Sequence, residues 1–453
     1  MAGEWREATV GELAAPVRNA LVGGPFGSNL VSCDYVDAGV PVIRGQNMGG
    51  RWVSGEFVFV TDTKASSLDA NLARPGDIVF TQRGTLGQVS VVPEGQFDRY
   101  LVSQSQMKLT VDRDLADPMF IYYLFSTSEQ KDYIRQNSIQ TGVPHTNLGI
   151  LRRTPVPLPP LPVQRAIAHI LGTLDDKIEL NRRMNQTLEA MARALFKSWF
   201  VDFDPVRAKH ALSKAEGAEG HPSTSSGQAF PGLPKPLADL FPESFEDSGL
   251  GEIPKGWRVG TLGDVAEHPR RSVQPCEIDV STPYIALEHM PRRCIALSEW
   301  SVADGLESNK FEFKRGEILF GKLRPYFHKV GVAPVDGVCS TDIVVVAPRA
   351  KEWFGFVVGH VSSVAFVEHT TAGSTGTKMP RTSWNEMARY AAVIPPEDIA
   401  MVFTSQIRSA VDQIVMSIHE SHTLAVLRNT LLPKLISGEL CVRAADKLLP
   451  AEA

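Results

Sequence analysis

The feature that most constrains the fold of this chain is an internal repeat. WREATVGELA from Trp5 matches WRVGTLGDVA from Trp257, PGDIVF from Pro75 matches RGEILF from Arg315, and LPP from Leu158 matches IPP from Ile394. The offset falls from 252 to 240 and then stays at 236, so the copies differ in length only in their middles. Two copies are too few for a stacked repeat array. The repeat predicts one scaffold used twice, with a pseudo-two-fold relation between the copies.

Each copy mixes strand-like and helical segments. RWVSGEFVFV, GDIVF and GQVSVV in the first copy, and GEILF, KVGVAPV and STDIVVVAP in the second, have the composition of strands. One helix is predicted over 118–136, and its counterpart begins near Trp353. The predicted fold class is α+β: two mixed α/β target-binding domains related by a pseudo-two-fold and joined by two long antiparallel helices.

The predicted boundaries follow from the repeat and from composition. They are 1–158 for the first domain, 159–205 for the first long helical region, 206–250 for a surface linker with at most short helical pieces, 251–396 for the second domain, 397–440 for the second long helical region, and 441–453 for a tail.

Both long helical regions carry apolar residues spaced alternately by four and three, as in a coiled-coil seam. The predicted seam comprises Ile167, Leu171, Leu174, Ile178, Asn181, Asn185 and Leu188 in the first helix, and Ile407, Ile414, Ser417, Ser421, Leu424 and Leu431 in the second. Both seams become polar at their centres. Antiparallel packing would place Asn181 beside Ser421 and Asn185 beside Ser417, so that polar groups meet polar groups at little cost. The alternative is that each helix packs only on its own domain.

A helix of about 40 residues would be about 60 Å long. If the two helices form such a rod, we expect the domains to act about 40–50 Å apart, which is somewhat more than one turn of DNA.

The sequence contains no common catalytic motif. GSTGTK at Gly373 lacks the spacing of a phosphate-binding loop, and neither H-E-x-x-H nor G-x-S-x-G occurs. The five cysteines form no C-x-x-C pair and favour reduced thiols in a cytosol, and no ligand cluster suits zinc. The sequence contains no run of 18 apolar residues, so no membrane span is expected. These absences favour binding over catalysis, and the net charge of −5 argues mildly against a general polyanion binder.

Three clusters of polar residues have the chemistry needed to read base edges. The first follows the GDIVF and GEILF strands and comprises Gln82, Arg83, Thr85, Lys322, Arg324, Tyr326 and Lys329. The second comprises His145, Thr146, Asn147, Lys378, Arg381 and Thr382. A weaker third cluster, Arg44, Gln46 and Asn47, lies in IRGQNM. The alternative for each cluster is an ordinary solvated loop.

Taken together, GEIPKGW, GDIVF and GEILF, LPPLPVQRAIAHILGTLDDKIELNRR and LLPKLISGEL make the chain resemble the specificity (S) subunit of a type I restriction-modification enzyme. The resemblance implies a non-catalytic subunit in the cytoplasm whose two target-recognition domains each read half of a bipartite site on double-stranded DNA. It also implies that the helices dock two methyltransferase (M) subunits and that restriction (R) subunits join them. S-adenosylmethionine, ATP and Mg²⁺ would then bind those partners, and no cofactor would bind this chain.

One departure from the family pattern lies in IPPEDIAMVF, which lacks the glutamine that the first copy keeps as Gln164. This leaves open whether both helical regions dock M subunits equally well. The alternative to the S-subunit hypothesis is a coiled-coil scaffold with degenerate binding domains and no sequence-specific DNA recognition. An enzyme in its own right is disfavoured by the missing motifs. The DNA target and its spacer stay open, because readout depends on loop geometry.

Overall fold

The computed structural model describes residues 5–140, 144–218 and 235–442. The chain divides into two compact units: unit 1 comprises residues 1–177 and 424–453, and unit 2 comprises residues 178–423. Parts of the predicted linker (219–234) and most of the predicted tail (443–453) lie outside the described residues.

The helices of the described residues are α1 (Asp62–Ser67), α2 (Pro118–Ser126), α3 (Ser128–Gln136), α4 (Leu148–Arg153), α5 (Leu161–Phe200), α6 (Asp204–Ala218), α7 (Lys235–Ala238), α8 (Leu262–Val265), α9 (Phe354–Val361), α10 (Val364–Ala372), α11 (Trp384–Ala388) and α12 (Glu397–Ile436). Among these residues, no helix combines the length and the apolar character needed to cross a membrane.

Unit 1 contains the strands β1 (Arg6–Thr9), β2 (Leu21–Gly23), β3 (Tyr35–Val36), β4 (Val40–Ile43), β5 (Val58–Val60), β6 (Leu72–Ala73), β7 (Ile78–Thr81), β8 (Val89–Val91), β9 (Tyr100–Val102), β10 (Gln106–Leu109) and β11 (Pro155–Leu158). Unit 2 contains β12 (Phe245–Ser248), β13 (Gly251–Pro254), β14 (Arg258–Thr261), β15 (Ala266–Glu267), β16 (Ser272–Val273), β17 (Pro283–Ile285), β18 (Ser301–Val302), β19 (Lys310–Phe313), β20 (Ile318–Gly321), β21 (Val330–Val332), β22 (Gly337–Cys339), β23 (Ile343–Pro348) and β24 (Ala391–Ile394).

The sheets of the two units share most of their topology. The antiparallel sheet β2-β10-β7-β8 of unit 1 returns as β15-β23-β20-β21 in unit 2, and the ribbon β1-β11 returns as β14-β24. A second sheet contains β5-β4-β9-β6 in unit 1 and β18-β17-β22-β19 in unit 2, with one parallel pair each, β4 with β9 and β17 with β22. An extra edge strand lies beside β5 in unit 1 but beside β19 in unit 2. The predicted α+β class with two sheet-rich domains is confirmed.

A buried central strand fixes each four-stranded sheet against helices. All four residues of β7 and all four of β20 are buried. Phe80 packs edge-on against Phe125 of α2, with ring centroids 4.9 Å apart, and Phe320 packs on Phe366 of α10 at 5.6 Å. Aromatic contacts of this geometry add to the burial energy of each ring. The loop that follows each central strand is therefore held by a rigid core.

The segment 118–136, predicted as one helix, forms two. Thr127 has extended backbone angles, φ −66° and ψ 155°, and its side chain accepts a hydrogen bond from Gln130 N at 3.3 Å. Ser363 caps α10 in the same way, accepting from Phe366 N at 3.1 Å. A hydroxyl at the N-cap satisfies a backbone donor that the helix itself cannot. The single-helix prediction was wrong because the apolar pattern does not reveal this cap.

The strand predicted in RWVSGEFVFV is also shorter than expected, since only Val58–Val60 forms β5. Gly55 has a positive φ of 95°, and the Asn47 amide donates to Ser54 O and Glu56 O at 3.1 and 3.0 Å. These contacts hold a turn where the alternating pattern predicted an extended chain.

The predicted surface linker contains more structure than its composition indicated. Residues Asp204–Ala218 form the helix α6, and both Val206 and Phe241 are buried in the aromatic core of unit 2. Trp199 packs edge-on against Phe241 with centroids 5.0 Å apart. The apolar side chains at the two ends of the linker anchor it to unit 2, so the expectation of short helical pieces at the surface was wrong.

Within unit 2 the two long helices pack antiparallel in the predicted register. The Asn181 amide donates to Ser421 Oγ at 3.2 Å and to Glu420 Oε2 at 2.7 Å, and Trp199 contacts Phe403 with centroids 5.4 Å apart. The predicted pairing of Asn181 with Ser421 is confirmed. Asn185 and Ser417 are both buried, but their pairing stays a prediction.

Within unit 1 the seam is completed by the other halves of both helices. The buried apolar residues are Ile167, Leu171, Leu174, Leu424, Leu431 and Leu435. Arg428, which interrupts the apolar seam, makes an ion pair with Asp175 at 2.6 Å. A charged residue in the seam is therefore neutralised by a carboxylate of the partner helix.

Candidate nucleic-acid interface

In unit 1 the first two predicted clusters form one surface. Thr146 N donates to Gln82 O at 3.0 Å, and Arg83 pairs with His145 in a β-bridge. His145 also exchanges two backbone hydrogen bonds with Ile139, at 2.8 and 3.2 Å. The loop after β7 and the segment before α4, far apart in sequence, are thereby locked together by their backbones.

Unit 2 repeats this arrangement. Thr382 N donates to Lys322 O at 3.0 Å, Arg324 N donates to Pro380 O at 2.7 Å, and Leu323 pairs with Arg381 in a β-bridge. We call residues 82–85 with 145–147, and residues 322–329 with 378–382, the paired loops of units 1 and 2. Since backbone contacts hold them together, their side chains can vary without disturbing the arrangement.

Several predicted side chains of the paired loops are exposed. Arg83, Thr85, Tyr326, Lys378 and Arg381 project to the surface. Arg381 is partly committed, because its Nε donates to Asp342 Oδ1 at 3.1 Å. Gln82, His145, Lys322 and Arg324 are half-buried.

Other predicted contacts are occupied inside the protein. Asn47 is 1% exposed and binds the turn after it, and the Gln46 amide donates to Glu56 O at 3.2 Å. Asn147 caps α4 by accepting from Ile150 N at 2.9 Å. The third cluster and Asn147 therefore serve local structure in this conformation.

Four further predicted residues are buried or half-buried. Thr146 and Thr382 are buried, and the Lys329 ammonium donates to Leu287 O. Arg44 is half-buried beside Asn47, whose side chain accepts from Arg44 N at 3.0 Å. A polar residue type within a loop was the signal for these residues, and it does not distinguish inward from outward side chains.

Two left-handed residues shape the paired loops of unit 2. Arg324 and His328 both have φ of 51°, a conformation that is costly outside glycine. His328 Nε2 donates to Ser362 O at 2.9 Å, and burial lowers the pKa of His328, which favours the neutral ring. This hydrogen bond ties the tight turn at Pro325–Phe327 to the end of α9.

Comparison with known proteins shows which family this chain is similar to. Residues 30–190 match the family described as type I restriction modification DNA specificity domain. Over 477 aligned positions the chain is 26% identical to the HindI specificity subunit of Haemophilus influenzae, covering 96% of this chain and 100% of that protein. The chain is therefore similar to the type I restriction-modification specificity family, whose model matches residues 30–190. Members of this family are non-catalytic subunits.

Further comparisons agree. The MjaIX specificity subunit of Methanocaldococcus jannaschii is 23% identical over 394 residues, with 84% of this chain and 82% of that protein covered. The crystal structure of a type I restriction-modification S subunit from M. genitalium superposes with a TM-score of 0.53 at 15% identity, covering 95% of this chain and 96% of that one. This last likeness concerns the fold alone.

The glutamine that marks the first helical region of this chain has an internal role. Gln164 is buried; its Oε1 accepts from Asp117 N at 3.0 Å, and its amide donates to Pro159 O at 2.8 Å and Leu115 O at 3.2 Å. It thereby joins the start of α5 to the start of α2.

In unit 2 a different residue makes the equivalent connection. Ala400 stands at the position of Gln164, but Thr404 Oγ1, one turn later, accepts from Gly355 N at 2.9 Å and donates to Glu352 O. This threonine joins α12 to the start of α9. The sequence departure is therefore compensated within the fold.

Two neighbouring carboxylates of α5 pair with other residues of unit 1. The half-buried Asp175 accepts from Tyr123 Oη at 2.7 Å and from Arg428 at 2.6 Å, while the exposed Asp176 pairs with Arg51. Burial and the adjacent Asp175 raise the pKa of Tyr123 well above its usual range, so the phenol stays protonated and donates. These contacts connect the recognition domain to the helix pair in unit 1.

Within the described ranges, no three His, Cys, Asp or Glu side chains are grouped so that they could hold a metal ion.

Proposed function

We propose that this chain supplies the DNA specificity of a type I restriction-modification complex, with each set of paired loops reading one half of a bipartite site. The observation that carries this proposal is the repeated hydrogen bond, Thr146 N to Gln82 O and Thr382 N to Lys322 O, on matched scaffolds. The same backbone frame presents different side chains in the two units. That combination suits a reader of two unlike half-sites.

The long helices are proposed to dock two M subunits. Large apolar side chains on them face solvent: Leu180 is 57% exposed and Met416, at the equivalent position of α12, is 60% exposed. Exposed apolar residues at matched positions support two similar docking surfaces. Because Gln164 is buried and Thr404 makes the equivalent connection, we propose that the missing glutamine does not weaken docking on α12.

The partners are proposed to carry the chemistry. S-adenosylmethionine, ATP and Mg²⁺ would bind the M and R subunits, and this chain would bring them to double-stranded DNA in the cytoplasm. The paired loops offer groups that contact DNA, and no step of the reaction is assigned to them.

A paired substitution tests the proposal. In the complex with M subunits, Arg83→Ala is expected to weaken or relax recognition of one half-site, and Lys378→Ala of the other. Loss of a base contact costs about 1–3 kcal/mol. Sequencing of methylated bases after expression in a methylation-free host reports both half-sites.

Arg99→Ala serves as the control, because Arg99 is an exposed arginine of unit 1 that pairs with Asp62 at 2.7 Å, outside the paired loops. It should leave both half-sites unchanged. A wild-type complex with no sequence preference at any salt concentration would support the scaffold alternative, and an equal loss on every sequence would assign Arg83 and Lys378 to phosphates.

A further inference from the structure

Unit 1 contains a polar cavity of about 390 Å³ beside its paired loops. One wall is formed by residues 85–89, which continue the loop that carries Arg83. The other walls come from residues 48–50, from α2 and α3, and from the adjoining stretches of α5 and α12. The charged residues that line it are Lys131, Arg135, Asp175 and Arg428. Three cationic side chains thus face one carboxylate.

The carboxylate is already used. Asp175 accepts hydrogen bonds from both Tyr123 and Arg428, so its charge is largely compensated. Arg135 pairs with the exposed Asp132 at 3.0 Å. Lys131, by contrast, makes no ion pair with any residue in the described part of the chain. The wall therefore carries a positive charge without a matching anion.

The position of Lys131 is fixed by its aliphatic stem. A Cβ added to Gly87, which has φ of 86°, would lie 3.2 Å from Lys131 Cγ, so the stem lies directly on the loop backbone. Burial and the nearby Arg135 and Arg428 lower the pKa of Lys131. A bound anion would relieve that repulsion.

The equivalent place in unit 2 is a much smaller and mainly apolar pocket of about 20 Å³. At the offset of 236, Lys131 corresponds to the buried Val367, and Asp175 to the buried Val411. Leu432 corresponds to Phe196, whose ring lies so close to Gly359 that an added Cβ would be 2.0 Å from its Cδ2. The fold does not require a large polar cavity here, since its repeat fills most of the same space with mainly apolar side chains.

We propose that this cavity binds one phosphate group of the DNA duplex, with Lys131 and Arg428 as its cationic contacts. The proposal rests on the proposed function and deepens it. We assign the phosphate to DNA because residues 85–89, which form one wall of the cavity, continue the loop that offers Arg83 to the bases. A phosphate contact positions the duplex without reading its sequence. The first half-site is thus held by an anchor that unit 2 lacks at the equivalent position.

The test uses the full chain assembled with its M subunits, carrying Lys131→Gln, and measures duplex affinity at several salt concentrations. Each phosphate contact adds about 0.9 to the slope of log affinity against log salt. Lys131→Gln is expected to lower that slope by about 1 and to weaken cognate and scrambled duplexes equally. Lys64→Gln, which removes a lysine paired with Asp34 at 3.0 Å elsewhere in unit 1, should leave the slope unchanged.

Duplexes with a single neutral methylphosphonate locate the contact. In the wild-type complex, one position next to the first half-site should weaken binding; in Lys131→Gln, the same position should have no further effect. A slope equal to that of wild type, or a methylphosphonate profile identical in both proteins, overturns the proposal. Matched thermal unfolding of the two lysine variants shows that folding is not the cause.

Two other outcomes are distinguishable. If inorganic phosphate alone raises the melting temperature of wild type but not of Lys131→Gln, while the salt slopes agree, the cavity takes a small free anion and the DNA source is wrong. If the proposed function itself fails, the wild-type complex shows no half-site preference. Failure of the phosphate proposal leaves that preference intact.

Discussion

At the scale of single residues, Glu189 is a buried carboxylate that holds part of unit 2 onto α5. Its Oε1 accepts from Ala296 N at 3.0 Å and from Cys294 Sγ at 3.1 Å, and its Oε2 lies 3.3 Å from Arg193. Burial and the neighbouring carboxylate raise the pKa of Cys294 to about 12. One side chain therefore fixes a backbone segment and keeps a thiol protonated.

Glu189→Ala is expected to destabilise unit 2 by about 2–3 kcal/mol, because hydrogen bonds to a charged group are lost and a buried backbone donor is left unsatisfied. Urea unfolding of the full chain measures the loss. Alkylation of Cys294 at pH 8, slow in wild type, should accelerate in the variant. Glu189→Gln keeps a hydrogen-bond acceptor, so it should lower the free energy of unfolding by less than Glu189→Ala does. Equal stability of Glu189→Ala and wild type would contradict the anchoring role of Glu189.

At the scale of elements, α9 buries a histidine in an aromatic cluster. His360 lies edge-on to Phe196 and Phe356, with ring centroids 4.9 and 4.4 Å away, and its Nε2 has no hydrogen-bond partner among the described residues. Burial lowers the pKa of His360 to about 3, so the ring is neutral in the folded state.

This burial makes the stability of unit 2 depend on pH. Between about pH 6.5, where an unfolded histidine titrates, and the folded pKa near 3, the unfolded state binds the extra proton. Stability contributed by His360 is complete above pH 6.5 and falls by about 1 kcal/mol per pH unit below it. His360→Leu should make the unfolding free energy fall less steeply from pH 6.5 to 5.

In His360→Leu the unfolding free energy should still depend on pH, because burial also lowers the pKa values of His268 and His328. His169→Leu, at an exposed position of α5, provides the control for a changed histidine count. Identical pH profiles for wild type and His360→Leu would contradict the prediction.

The elements also show what the sequence could predict. The seam register was predictable, because helical spacing is local and both seams turn polar at Asn181 and Ser421. The break at Thr127 was not, since it depends on one hydroxyl capping one amide. The burial of Val206 depends on a core assembled from residues distant in sequence, Trp257 among them. The outward or inward direction of Asn47 and Arg83 depends on the turns that hold them. The charged cavity arises only when α3, α5 and α12 are in place.

At the scale of the whole molecule, α5 and α12 each contribute to both units. Along α5, unit 1 ends at Lys177 and unit 2 begins at Ile178. Along α12, unit 2 ends at Thr423 and unit 1 resumes at Leu424. Matched insertions at both points would lengthen the pair without changing the sequence of either recognition surface.

Inserting seven residues at both points adds one heptad, which keeps the seam in phase and lengthens each helix by about 10 Å. We expect the same half-sites to be read with a non-specific gap about three base pairs longer, because each base pair rises about 3.4 Å. Methylated-base sequencing reports the gap. An insertion in α5 alone should destabilise the seam, and an unchanged gap in the double insertion would mean that the M subunits set the spacing.

The contact between Gly438 and Trp5 has a consequence for chain connectivity. Gly438, with φ of 74°, follows α12 so closely against the Trp5 ring that an added Cβ would be 3.0 Å from Cζ2. Trp5, the residue before β1, and Gly438, the second residue after α12, therefore meet in unit 1. A short peptide across them would make the polypeptide circular, and the circle could be reopened between the two copies. The order of the two copies along the polypeptide could therefore be changed without changing the fold that they form.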